Sequence, residues 1–307
     1  MQKRGNYNYD YIHTVYKTSC GYYDFYNFEN LSDNDKTALI AHRRKTIPKT
    51  SNKYIYEFVM TPNDPFLNEN KPLPPNVELK ISFDRLPAEY AIYATGNDKT
   101  LKGTVLELKS VYAQVEYISS PALRTYFDMI HSEPINFEYD EISVLAKSLP
   151  INETTIRLEN IKGGNTPDYL FIAITPTVGL NGNLEYSPMN FQNYGVKELN
   201  LTLNGNPCHS FPMLINNGYP IWPYIKFIDV LGRLHNTQAA NQMDMESFST
   251  NLIYAHKFEG EDTSQGWLGI TISLKDAFDS PYTLIMWTVN NVRTTLDKFG
   301  HVDKYVL

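Results

Sequence analysis

The side chains that most often bind metals or act as nucleophiles are scattered along this sequence. None of its histidines lies in an HxH or HExxH pattern, which would place two metal ligands on one face of a strand or helix. Cys208 stands beside His209, but a catalytic cysteine–histidine pair is assembled by the fold and not by sequence neighbours. Cys20 is the only other cysteine, so no disulfide framework is expected. We predict no metal site, no cofactor and two ordinary thiols. The histidines are His13, His42, His131, His209, His235, His256 and His301.

Acidic clusters are the next candidates for chemistry. A calcium loop alternates its oxygen ligands around an obligate glycine, and neither cluster has that spacing. A glycosidase needs two carboxylates at a set separation, which is decided by the tertiary fold, so that alternative stays open. The clusters are Glu138, Asp140 and Glu141, and Glu259, Glu261 and Asp262.

Glycine-rich stretches do not supply a nucleotide site or a nucleophile. The segment Gly179–Gly182 reads GLNG, which lacks the serine of GxSxG and the terminal lysine of a phosphate loop. The pair Gly163–Gly164 lacks the phosphate-loop pattern as well. We therefore predict no catalytic, cofactor-binding or metal-binding residues, and a protein that is not an enzyme.

The charge balance argues against a nucleic-acid coat. The chain has 27 Lys and Arg against 34 Asp and Glu, a net charge of −7, whereas phosphate binding needs clustered cations. The basic run His42–Lys45 could contact phosphate, but a solvated face or an acidic neighbouring subunit is favoured. The chain also has 23 Tyr and 15 Phe, and aromatic clusters such as Tyr22–Phe28 suit a core or a subunit interface. We predict no direct sequence-specific nucleic-acid binding.

The sequence suggests synthesis inside a cell. Its first residues contain no apolar core of a signal peptide, and no run approaches the ~20 apolar residues that span a bilayer. Sequons at Asn30, Asn152 and Asn200 are interpreted as chance matches without a secretory route.

The elements that position these side chains are mostly strands. Alternating or β-rich segments separated by Pro- and Gly-rich turns predict a mostly β fold, a jelly-roll β-sandwich with few short helices. Helices are predicted after Ser32, as a variant capping box with Asp35, and after Ser120, with Pro121 at the first helical position. The predicted strands are 54–60, 77–83, 106–118, 154–158, 169–174, 196–203, 269–274 and 282–289.

The pattern of predicted elements changes near residue 104, which predicts two domains, 1–103 and 104–307. The first contains a strand–loop–strand unit with an acidic, proline-rich connector. The second is long enough for a complete eight-stranded sandwich.

The stretch from 175 to 205 has the order of pieces found in a known family. Leu180–Gly182 stands where the family has a short FNG-like loop, Ser187–Phe191 (SPMNF) where it has NPFNF, and Asn204–Gly205 where a strand ends in DG. The sequence thus resembles the second jelly roll of the major capsid proteins of Polinton/Maverick elements, in the hexon-like double jelly-roll lineage that includes virophages and adenoviruses. Ser187 and Met189 depart from the family's Asn and Phe.

Other segments extend the resemblance from about residue 15 to the C-terminus. Residues 106–118 and the Ser120 helix resemble the first strand and helix of that second jelly roll. Residues 156–174 resemble a strand, loop and strand, and 269–289 resemble the closing hairpin. Residues 73–86 resemble the last hairpin of a first jelly roll, whose early strands are expected to be missing here.

The resemblance implies a structural major capsid protein with double jelly-roll architecture. Its expected partners are itself, as a homotrimer with capsomer–capsomer contacts, and penton or minor capsid proteins. Its expected location is the virion, after synthesis in the host cytoplasm or nucleus, and 206–251 is expected to form top loops or trimer-locking arms around Trp222. Two alternatives stay open: a carbohydrate- or receptor-binding jelly roll, and a glycoside hydrolase on a β-sandwich.

Overall fold

The structure is a computed structural model of the 307-residue chain. It describes residues 32, 34, 49–50, 53–54, 66, 72–73, 78–82, 107, 110–112, 118–129, 134–183, 186, 191–208, 213–215, 219–231, 245–258, 265–297, 299 and 301–306. The predicted Ser32 capping box, the Tyr22–Phe28 aromatic cluster and the His42–Lys45 run lie wholly or mostly outside these residues, as do Glu259, Glu261 and Asp262. The predicted boundary between 1–103 and 104–307 remains a prediction.

Twelve strands and four helices are described. The strands are β1 Lys49–Thr50, β2 Lys53–Tyr54, β3 Ile135–Leu149, β4 Thr155–Asn165, β5 Tyr169–Pro176, β6 Val196–Leu203, β7 Asn206–Pro207, β8 Met213–Leu214, β9 Tyr254–Lys257, β10 Gln265–Leu274, β11 Tyr282–Leu296 and β12 Val302–Val306. The helices are α1 Pro121–Met129, α2 Thr177–Leu180, α3 Ile221–Val230 and α4 Met245–Thr250.

The strands from β3 to β12 form two antiparallel sheets. One sheet has the order β4–β10–β6–β7, with β8 also paired to β6. The other has the order β12–β11–β5–β9, with β3 along the opposite side of β11. The pairs are nested, because β3 pairs with β11, β4 with β10, β5 with β9, and β6 with β7 and β8. A long ribbon rolled up in this way is a jelly roll, so the predicted mostly β, jelly-roll fold is confirmed.

The core lies between the two sheets and follows from strand alternation. In β6 the residues Leu199, Leu201 and Leu203 point to one face and are buried, because successive side chains of a strand face opposite sides. Leu284 and Met286 of β11 meet them from the other sheet. We call this double-layered part the sandwich body.

Sequence signals for turns and caps are confirmed at two places. The Ser120 hydroxyl accepts a hydrogen bond from the Ala122 backbone N–H at 3.3 Å, so Ser120 caps α1 as its side chain predicts. Between β6 and β7, Asn204 and Gly205 both have positive φ, 54° and 81°, which a two-residue turn of type I′ requires.

Three predictions about strands are wrong. The described residues of 77–83, which are 78–82, lie outside any strand, and so do 107, 110–112 and 118 of the predicted strand 106–118. Among the described strands, the first of the jelly roll is β3, which follows α1. The predicted closing hairpin at 269–289 is not a hairpin, because β10 and β11 belong to opposite sheets and the chain crosses between them.

The segment 206–251 is more than a set of projecting loops. Phe248 of α4 is fully buried, and the rings of Tyr224 and Phe227 in α3 each lie 5.3 Å from it. Both helices therefore cover part of the sandwich core, which corrects the expectation of top loops or arms for this part of the segment.

Candidate assembly surfaces

One sheet extends beyond the sandwich body. The pairing of β11 with β5 ends at Val289, after which β12 takes the place of β5 from Val292 onward, while β3 accompanies β11 along its whole length. We call this extension, formed by 135–141 of β3, 290–296 of β11 and all of β12, the wing.

Asp168 joins the body to the wing. Its backbone N–H donates to the Val289 carbonyl at 2.9 Å, and its Oδ2 accepts from the Asn291 backbone N–H at 2.6 Å. Its carbonyl accepts from the Phe258 N–H at 3.0 Å. The carboxylate thereby satisfies a backbone donor of β11 in the gap between β5 and β12, where no strand supplies an acceptor.

The inner face of the wing carries a small apolar cluster of its own. Ile135, Phe137 and Leu296 are buried there and pack with Phe66 and Leu73. The Phe66 ring lies 5.5 Å from the Phe137 ring, in the range of favourable aromatic pairs. The wing is therefore covered in part by residues from the first hundred of the chain.

The end of the wing is exposed and partly apolar. All five residues of β12 are exposed. Phe299, Val302, Tyr305 and Val306 expose between 45% and 73% of their surface, and we call them the wing surface. Val302 and Val306 lie on one face of β12 and Tyr305 on the other, so large apolar side chains are exposed on both faces at the end of the wing.

A second apolar surface follows the outer edge of β3. Among the described strands, β3 pairs with β11 alone, so the backbone groups of its other edge have no strand partner in that part of the chain. Ile142 and Val144 expose 53% and 57% of their surface. A long edge strand with apolar side chains favours pairing with another chain.

The third surface lies at the start of α3, and we call it the α3 surface. Tyr219, before the helix, and Ile221 and Trp222, in its first turn, are exposed, whereas Pro223 and Ile228 of the helix are buried. Because the buried residues anchor α3 to the body, the exposed side chains lie on a fixed support. The three named surfaces were not predicted from the sequence, apart from Trp222.

The carboxylates Glu138, Asp140 and Glu141, considered in the sequence but not predicted to be a site, are divided between the faces of β3. Glu138 and Asp140 share one face and Glu141 lies on the other, because strand faces alternate. Glu138 forms an ion pair with Arg293, and Glu141 forms one with Lys304, both at 2.5 Å. Two of the three carboxylates therefore form ion pairs within the wing.

The glycine- and asparagine-rich stretch that resembles the capsid family serves as a connector. Gly182 has a φ of 83° and donates its N–H to the Gly179 carbonyl, so these glycines make the predicted turn. Phe191 is buried against Ala173 and Ile285, and its ring lies 5.7 Å from that of Trp287. Phe191 thus packs on the outer side of the sheet, while 187–190 lie outside the described residues.

Candidate ligands for metals do not converge in the described residues. No group of three or more His, Cys, Asp or Glu side chains that could hold an ion occurs there. Cys208 packs half-buried against the core, and its neighbour His209 lies outside the described residues. None of the described helices is long and apolar enough to cross a membrane.

Comparison with family models and with curated proteins gives no match. Solved structures of viral capsid proteins are similar to part of the chain, each at 10% sequence identity. A quasi-atomic model of the PBCV-1 virus capsid covers 57% of this chain and 52% of its own, with a TM-score of 0.35. The major capsid protein of mavirus covers 57% and 42%, with a TM-score of 0.30.

A third similar structure is PBCV-1 VP54 fitted into a cryo-EM reconstruction of the virophage Sputnik. It covers 61% of this chain and 55% of its own, with a TM-score of 0.37. The chain spans about half the length of the solved proteins that it matches. Because TM-scores of this size do not establish a fold, the jelly-roll fold is assigned from the nested strand pairing alone.

Proposed function

We propose that this protein is a structural major capsid protein of the double jelly-roll lineage, in the Polinton/Maverick group, and not an enzyme. The observation that carries the proposal is the agreement between the family-like segments and one jelly roll. Residues 156–160, 169–174 and 196–203 fall on the successive strands β4, β5 and β6, and 269–289 supply β10 and β11. These pieces that resemble the family thus fall on strands of one jelly roll, in the order in which they occur in the chain.

In this proposal the chain assembles into pseudo-hexagonal homotrimers that tile an icosahedral shell. Residues 104–307 form the second jelly roll, and 1–103 contribute the late part of a first one. The wing surface, the β3 edge and the α3 surface supply contacts between copies and to penton or minor capsid proteins. The protein resides in the virion after synthesis in the host cell, and its net negative charge leaves genome contact to other proteins.

Light scattering of the purified full chain tests the proposal directly. We expect the mass of a trimer and, in negative-stain images, particles with a hexagonal outline. A monomer at high concentration would contradict the proposal.

Variants then identify the contacting surface. Tyr305→Ser and Trp222→Ala each remove an exposed aromatic side chain from a proposed surface, and each is expected to shift the trimer towards monomer. Ile151→Ser is the matched control, because Ile151 is also an exposed large apolar residue but lies outside the three surfaces. If all three substitutions shift the trimer towards monomer equally, neither tested surface is a specific contact between copies.

A second candidate function is binding of carbohydrate or of a receptor through the α3 surface. Tyr219, just before α3, and Trp222, in its first turn, are both exposed, and aromatic rings commonly stack on sugars. A glycan array with a defined hit that Trp222→Ala abolishes, from a monomeric protein, would favour this function over the capsid.

A further inference from the structure

A lysine connects the two sheets at the junction of the body and the wing. Lys162 belongs to β4, and its Nζ donates a hydrogen bond of 2.9 Å to the Thr288 hydroxyl of β11 in the opposite sheet. Thr288 itself is fully buried. The Lys162 amine therefore lies between the sheets.

An irregularity in β4 brings Lys162 to this place. Leu158 pairs with Ile270, but the next pair is Lys162 with Leu268, so two extra residues are accommodated in β4. Asn160, within this bulge, has a φ of 52°. Regular pairing would place Asn160 opposite Leu268, and the bulge instead places a lysine there, which is how bulges redirect side chains.

An asparagine side chain with an unsatisfied carbonyl lies on the same face of β11. Asn290 is two residues beyond Thr288, and residues two apart share a strand face. Asn290 is only 9% exposed, and its side-chain Oδ1 is buried without a hydrogen-bond partner. A buried amide oxygen of this kind is rare in native structures and calls for an explanation.

A carboxylate completes the group. Glu141 of β3 is directly opposite Asn290 in the ladder, and the side chains of such pairs are neighbours. Glu141 also acts on the lysine: burial lowers the pKa of Lys162, and the charge of Glu141 opposes that change. The amine, the amide and the carboxylate thus lie on three strands from both sheets, with the amine hydrogen-bonded to Thr288 and the carboxylate paired with Lys304.

We propose that Lys162 and Asn290 form an intramolecular isopeptide bond, with Glu141 as the group that carries the proton. A lysine, a buried asparagine amide and a neighbouring carboxylate contain all the atoms that this condensation requires. The lysine arm moves from Thr288 to Asn290, a step of about 7 Å along β11.

The reaction is balanced without a cofactor or an oxidant. The Nζ lone pair attacks Cγ of Asn290, and one C–N bond forms. Glu141 accepts a proton from Nζ and delivers it to the amide nitrogen of Asn290, which leaves as ammonia when the original C–N bond breaks. The proton transfer needs the uncharged amine, which the burial of Lys162 favours.

The product would join β4 to β11 and so tie the two sheets together covalently. Such a link restricts the unfolded chain in the same way as a disulfide does, and it needs no oxidising compartment.

Mass spectrometry of the purified full chain tests this proposal. We expect an intact mass lighter than the sequence by one ammonia, and a branched peptide after digestion that joins the segments around Lys162 and Asn290. An intact mass equal to the sequence after prolonged incubation, with no branched peptide, would overturn the proposal.

Variants separate this reaction from other losses of ammonia. An asparagine can also lose ammonia by cyclising on its own backbone, which does not involve a lysine, so a loss that persists in Lys162→Arg would contradict the cross-link. Glu141→Gln is expected to slow the loss strongly. Asn291→Ala is the matched control: its Oδ1 is also buried without a partner, but it lies on the other face of β11, so the cross-link should form as in the wild type.

Discussion

The sandwich body and the wing share β3 and β11, but among the described residues only the body has a second sheet facing it. In the body, Leu199 and Leu284 come from opposite sheets and are both fully buried. In the wing, the small cluster around Phe137 is closed by Phe66 and Leu73, and ion pairs of Glu138 and Glu141 lie beside it. The body therefore depends on contacts within one jelly roll, whereas the wing depends on contacts with a distant part of the chain.

The largest effect should come from the centre of the body. Ile272→Ala removes a fully buried side chain of β10 and leaves a cavity, which typically costs about 2–5 kcal/mol. Urea denaturation followed by circular dichroism measures this loss in the free energy of unfolding. A change as small as that of an exposed control, Ile151→Ala, would mean that β10 is not central to the core.

The junction should rank second. Asp168→Ala leaves the Asn291 N–H without its acceptor, and an unsatisfied buried donor costs about 1–3 kcal/mol. Asp168→Asn keeps an acceptor oxygen and should cost less. Hydrogen exchange should become faster at Asn291 in the alanine variant. Equal stability of the two variants would show that the carboxylate does not hold the junction.

The wing should respond locally and more weakly. Phe66→Ala removes two aromatic contacts, with Phe137 and Tyr139, each worth about 0.5–1.5 kcal/mol. We expect faster hydrogen exchange in the wing and unchanged exchange in β6 of the body. Ile151→Ala is the control, because Ile151 is 47% exposed and lies outside the proposed surfaces. Uniform acceleration over both regions would remove the distinction between them.

The smallest effect on the free energy of unfolding should be a gain or no change, in contrast to the losses above. The Tyr254 hydroxyl is buried without a partner, so Tyr254→Phe removes an unsatisfied polar group and should leave the body equally stable or up to about 1 kcal/mol more stable. A clear loss of stability would show that the hydroxyl is bonded.

Alkaline pH should enlarge this difference. Burial raises the pKa of Tyr254, whereas an unfolded tyrosine ionises near pH ~10. Below that pH, ionisation of Tyr254 does not affect the free energy of unfolding. Above it, Tyr254 ionises in the unfolded state alone, so the wild type loses stability as the pH rises. Thermal melts of the wild type and Tyr254→Phe at neutral and alkaline pH measure the difference, which should grow with pH.

The sequence predicted those features that depend on neighbouring residues. The bounds of β6 were predicted correctly from alternation, and the Ser120 cap and the Asn204–Gly205 turn follow from local chemistry. The strand β3 was not predicted, although Ile135, Phe137 and Tyr139 alternate as in a strand. Its acidic residues were considered instead as a cluster of carboxylates.

Features that depend on distant residues could not be predicted in this way. Whether β10 and β11 form a hairpin or face each other is decided by their partners β4 and β5, which lie elsewhere in the chain. The contact of Phe66 with Phe137 joins residues far apart in sequence, and the inward position of Lys162 depends on a two-residue bulge. The surfaces around Tyr305 and Ile142 depend on which strands remain at the edges.

The continuity of β11 has a mechanical consequence. Its 15 residues pair with β3 from Tyr282–Leu149 at one end to Leu296–Ile135 at the other, so one unbroken ladder runs from the body into the wing. A force that pulls the wing along this direction loads the hydrogen bonds of the ladder in parallel, in shear, instead of opening them one after another. Tension applied to the wing would therefore pass along β11 into the apolar core.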